Sequence, residues 1–122
     1  MDTTQLENLP IKDGELPKGE AHIIVELIEY EPNSVVSKTI MKKATGTVNV
    51  MSFASGEGLN EKISPFETFA QIIDGTANIV IDGRSTTLLT GQGIVIPAHK
   101  SNYIKPNGRF KMILTVIKSG YE

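Results

Sequence analysis

The sequence predicts an all-β domain, with short antiparallel strands closing into a barrel or sandwich. Three observations carry this. Gly75, Gly83 and Gly91 recur eight residues apart, after Asp74, Asp82 and Thr90, as turn residues between strands do. The intervening runs alternate apolar and polar residues, the period of a half-buried strand. No segment holds a helical period, and the links are too short for the helices of about 10–15 residues that an α/β domain needs.

Residues 1–20 carry Pro10, Gly14, Pro17 and Gly19 and five acids against two lysines, which predicts an extended polar arm. The arm frays or lies along a partner subunit; the residues leave both open. Residues 21–122 form the barrel domain. The run 22–30, HIIVELIEY, is short and β-branched, which predicts a first strand, with His22 at its start on the surface or at an interface. Glu31-Pro32-Asn33-Ser34 is a turn, and 35–43 follows. In the strand 47–54, Val48 and Val50 share one face and Met51 and Phe53 the other, so both faces are covered. The stretch 59–65 is a short irregular strand, followed by strands at 68–73, 77–82, 85–89, 93–96 and 101–105. Asn107-Gly108 reads as a hairpin turn. In the last strand, Phe110, Met112, Leu114 and Val116 line one face. Lys111, Ile113, Thr115 and Ile117 line the other, which is partly covered too. Met41, Met51 and Met112 fall in strand patterns and are expected in the core. The total is about ten strands.

Composition excludes several function classes. The 122 residues suffice for one core. No cysteine is present, so there is no disulfide framework, thiolate metal site or cysteine nucleophile. The formal net charge is −2 with scattered basic residues, which gives nucleic-acid binding no electrostatic support. No apolar run approaches the ~20 residues of a membrane span, and the N-terminus lacks a basic-then-apolar leader. A cytoplasmic protein is the expectation.

The stretch from Gly56 to Pro106 resembles the cupin superfamily, small β-barrels of jelly-roll type. The first cupin motif runs from a glycine through a His-x-His pair and a glutamate to a second glycine, and Gly56 and Gly75 open and close it at the right spacing. Gly91 and Pro97 match the start of the second motif, whose Pro-x-Gly is followed by a histidine. The lead-in from Val35 to Leu59 also resembles that of small single-domain cupins. The resemblance implies a double-stranded β-helix, or jelly-roll barrel, and a homodimer.

It also places the four metal ligands of the family at Lys62, Ser64, Thr68 and Asn102. An imidazole lends a lone pair to a divalent metal and a carboxylate adds charge; an ammonium has no lone pair and repels the cation. Serine, threonine and asparagine are weak neutral donors. No metal and no other cofactor is therefore expected. Glu67 is one residue off, on the opposite face of its strand unless a bulge intervenes. His99 stands at the glycine position of the second motif, within reach of the barrel mouth, with no orienting carboxylate evident. Lys62 has three readings: its stem packs on the wall with its head in solvent, its ammonium replaces the metal electrostatically, or it pairs with Glu61 or Glu67. The expected function is a metal-free barrel binding a small polar or anionic ligand through Lys62, Ser64, Thr68, Asn102 and His99. The alternatives are a cupin enzyme of oxygenase or isomerase type with an atypical site, metal-dependent or working through His99 and Lys62, and an interaction module whose cavity is filled.

Overall fold

The computed structural model describes residues 14–120. Among these residues there are eight strands: β1 (Val35–Lys43), β2 (Gly46–Phe53), β3 (Leu59–Ile63), β4 (Glu67–Ile81), β5 (Arg84–Leu89), β6 (Gly93–Ile96), β7 (Ser101–Lys105) and β8 (Phe110–Ile117). All pairings are antiparallel. One sheet runs β1-β2-β8-β4-β6 and the other β3-β7-β4-β5. The long strand β4 belongs to both, so the sheet curls on itself as a jelly-roll barrel, the fold class expected.

Gly75 marks the point where β4 changes sheets. It has φ +83°, and the register with β8 shifts between Ile72 and Asp74. A Cβ there would stand 2.5 Å from the Arg109 carbonyl oxygen and 3.0 Å from Phe110. The two strands expected at 68–73 and 77–82 are thus one strand with a bulge, not a hairpin. Asp82-Gly83 is a true hairpin turn. Both residues have positive φ (51° and 80°), and Ile81 faces Arg84 across it. Asn107-Gly108 is not one: β7 and β8 do not pair with each other but lie on either side of β4, and the link passes from one sheet to the other.

The inner faces meet in one apolar core. Phe53 and Phe110 face each other across β2 and β8 and stack with ring centroids 4.3 Å apart. Phe110 in turn faces Gly75, whose missing side chain lets the β8 backbone at Arg109 and Phe110 approach closely. Ile72, Ile79 and Met112 are fully buried beside them, with Ala70, Ala77 and Leu88. Met51 packs against this cluster, but Met41 is 50% exposed on the outer face, contrary to the expectation that all three strand methionines are core.

The run 22–30 forms no strand. Ile24–Glu26 makes one 3₁₀ turn, and the segment lies over the outer face of the first sheet. The Ser52 hydroxyl donates to the Glu29 carbonyl (2.8 Å), the Lys111 ammonium to the Val25 carbonyl (2.7 Å) and the Tyr30 hydroxyl to the Asp74 carboxylate (2.6 Å). Arg109 and Lys111 stand 4.6 and 4.9 Å from the centre of the Tyr30 ring, a cation–π arrangement. Burial, reinforced by Asp74, raises the Tyr30 pKa well above the usual phenol range. This clasp explains why Val50 and Lys111 are buried on the face opposite the core, as the apolar content of both faces predicts. Of the expected arm, residues 1–13 lie outside the described residues. Past Gly14, the Leu16 amide donates to the Ile40 carbonyl (3.0 Å), and Glu15 pairs with Lys43 at 3.1 Å along β1.

Candidate functional site

A cavity of about 220 Å³ opens within the barrel at the end away from the phenylalanine stack. Four of the five residues singled out from the sequence line it: Lys62, Ser64, Thr68 and Asn102. They come from four places in the chain. Lys62 is on β3 and faces Asn102 on β7 across the ladder. Ser64 follows β3. Thr68, near the start of β4, is flanked by Val116 of β8 and Ile96 of β6. Leu59, Ile96, Ile104, Leu114 and Val116 complete the lining. None of these five stands at a ligand position of the sequence motifs. Leu114 and Val116 alternate with the outward residues of β8, and strand period alone puts them on the core-facing side.

The polar groups are partly committed. The Phe66 amide donates to the Ser64 oxygen (3.1 Å), which leaves the Ser64 hydroxyl hydrogen available. The Asn102 amide nitrogen has two long contacts of 3.4 Å to the Lys62 and Lys100 carbonyls, leaving its side-chain oxygen as an acceptor. Lys62 as a whole residue is exposed, because β3 is a sheet edge. Its ammonium is nonetheless shielded enough that burial lowers its pKa, and no carboxylate offsets that shift. Neither salt bridge seen among the described residues involves it. Glu61 accepts from the Ser101 hydroxyl instead. Glu67 faces Ile117 in unbroken register with Thr68, so it points away from the cavity face.

His99 is not among the residues lining the cavity. It is exposed, with φ +66°, and its amide donates to the Ser64 carbonyl at 2.7 Å. The histidine thus takes the left-handed conformation that a glycine at this motif position supplies without strain. His22 lines a groove between residues 15–24 and β1, far along the chain from the cavity residues, and its Nε2 is buried without a hydrogen bond.

The donor set does not fit a divalent metal. Lys62 brings a positive charge, the other three residues bring neutral oxygens, and no group of three or more His, Cys, Asp or Glu side chains comes together among the described residues. The arrangement suits a small molecule with one polar end. A wider groove of about 430 Å³ runs outside β3 and β7 along Glu57–Glu61, but it offers no cation and lies open to solvent. Among the described residues, no helix is long and apolar enough to cross a membrane.

A scan against protein-family models and a search of curated proteins match nothing. Solved structures do match. A conserved protein of unknown function from Streptococcus pyogenes superposes with a TM-score of 0.82 at 23% identity, over 93% of this chain and 99% of that one. A cupin superfamily protein from Desulfitobacterium hafniense gives a TM-score of 0.80 at 28% identity, over 89% and 100%. A cupin 2 conserved barrel domain protein from Leptotrichia buccalis gives 0.74 at 28%, over 77% of this chain and 46% of that one. With its strand order, its curled β4 and these likenesses along nearly its whole length, the chain is a small cupin-domain protein.

Proposed function

We propose that this protein is a metal-free barrel that binds a small polar or anionic molecule among Lys62, Ser64, Thr68 and Asn102. The observation that carries the reading is their convergence, from separate parts of the chain, on one cavity that side chains leave open. An open cavity weighs against an interaction module with a filled interior. A donor set without imidazole or carboxylate weighs against a metalloenzyme. His99, off the cavity and fixed by its backbone, weighs against acid–base chemistry shared with Lys62. In this reading Lys62 does the electrostatic work that a metal does in other members of the fold.

A homodimer belongs to the same proposal. Met41, Val48, Thr115, Phe69 and Val95 lie in register across the outer face of the first sheet. Met41, Phe69 and Val95 are each at least 41% exposed, an apolar row that suits a second copy.

The test is elemental analysis of protein purified without a histidine tag, beside a variant carrying Lys62→His, Ser64→His, Thr68→Glu and Asn102→His. The expected result is no metal in the natural protein and zinc, nickel or manganese in the variant. Stoichiometric metal in the natural protein would overturn the proposal.

A further inference from the structure

The cavity is sided, and the sides follow from the strand register. Lys62 faces Asn102 on the β3–β7 ladder, and Leu59 faces Ile104 further along it. On β4 the same step inward leads from Thr68, beside Val116, to Ala70, beside Leu114. The polar groups therefore gather where β3 ends and β4 begins. Leu59, Ile104 and Leu114 form the inner end, and below them the buried Ile72 and Met112 close the barrel.

Three donors stand at the polar end: the Lys62 ammonium and the hydroxyls of Ser64 and Thr68. Among the lining residues Lys62 is the single ionisable one. One ammonium balances one negative charge. A phosphate dianion or a dicarboxylate would leave a second charge against leucine and isoleucine, which is costly. A sugar would leave hydroxyls without partners on the same floor. A cation would meet the ammonium.

The geometry points to a short-chain monocarboxylate as the ligand class, its carboxylate on Lys62, Ser64 and Thr68 and its alkyl chain on Leu59, Ile104 and Leu114. The volume of about 220 Å³, below that of pockets for drug-sized ligands, suits a chain of about four to six carbons. A shielded ammonium without a carboxylate partner is the state such an anion would satisfy, since the pair replaces the hydration that burial removes. This inference rests on the ligand-binding reading above.

The test is a titration of the isotope-labelled full chain, followed through its amide resonances, with valerate, pentan-1-ol, glutarate and inorganic phosphate. Valerate is expected to shift the amides of Lys62, Thr68 and Asn102 saturably. Lys62→Met is expected to weaken that binding about tenfold to a hundredfold, as loss of a charged hydrogen bond does, while Lys62→Arg stays within a few-fold. The rest of the spectrum reports that both variants are folded. Pentanol binding as tightly as valerate, glutarate or phosphate binding more tightly, or unchanged valerate affinity in Lys62→Met would overturn the ligand class and leave the binding reading standing. Unmoved cavity amides with all four probes and with a broad library of neutral and charged small metabolites would overturn both.

Discussion

The two ends of the barrel are built from the same strands and differ in what those strands bring inward. At one end β2, β8 and β4 present Phe53, Phe110 and Gly75 in a single row, the rings stack, and the β8 backbone at Arg109 and Phe110 closes onto the glycine. At the other end β4 and β8 present Thr68 beside Val116, and β3 and β7 present Lys62 beside Asn102. The smaller and polar side chains do not meet across the barrel, and the cavity remains. The ladders are interrupted at both ends, on β4 between Ile72 and Asp74 and on β3 between Leu59 and Lys62, so it is chiefly side-chain volume that divides the sealed core from the open cavity. The sealed end is also clasped from outside by Tyr30, while the open end is bordered by the exposed edge strand β3.

The sharpest way to break that contrast is to empty the sealed end. Phe110 is fully buried and stacked, so Phe110→Ala removes its burial and leaves a hole beside Gly75. The expected loss is about 3–5 kcal/mol in denaturant unfolding. Thr68→Val, isosteric at the open end, is expected to change stability by less than about 1 kcal/mol. Equal losses at the two ends would mean that the cavity end is packed as tightly as the core.

A smaller effect sharpens the role of the clasp. Tyr30→Phe removes a partly buried hydrogen bond to the Asp74 carboxylate, with an expected loss of about 1 kcal/mol at neutral pH. The pH dependence has a definite sign. The folded-state pKa of Tyr30 is raised above its ordinary value of 10.0, so near and above that pH the unfolded chain releases the phenol proton while the folded chain keeps it. The contribution is complete below pH 10 and declines as pH rises further. Thermal melts from pH 8 to 11 should show a steeper alkaline decline for the natural protein than for Tyr30→Phe. Parallel curves would place residues 22–30 on the barrel by other means.

Much of this was legible in the sequence, and the misses have physical causes. Strand alternation located both faces of β8, and the motif spacing located Lys62, Ser64, Thr68 and Asn102, which do line one cavity. The glycine spacing misled at Gly75. Gly75 and Gly83 have nearly equal φ, 83° and 80°. They differ in that Asp82 before Gly83 is also left-handed, which closes a two-residue turn, whereas Gly75 stands alone and bends a continuous strand. The run 22–30 has strand composition, but it lies over a sheet, held by the buried Ile28 and by hydrogen bonds, instead of pairing with one, and a short apolar run reads alike in both cases. The floor of the cavity was hidden because Leu59, Ile104 and Leu114 look like any core residues until the register shows which layer they occupy.

The smallest expected effect concerns His99, which borders the open end through its backbone alone. Its φ of +66° costs a residue with a Cβ about 1–2 kcal/mol, a strain glycine does not carry. His99→Gly removes the strain but adds freedom to the unfolded chain, so the net gain is expected to be about 0.5–1 kcal/mol. The Ser64 carbonyl keeps its hydrogen bond, because the amide of residue 99 donates it whatever the side chain. Valerate affinity should then be unchanged in His99→Gly while the melting temperature rises by about 2–6 °C. A higher melting temperature with weakened valerate binding would mean that the imidazole swings over the mouth when ligand is present. In that case His99 would join Lys62, Ser64, Thr68 and Asn102 in the proposed site.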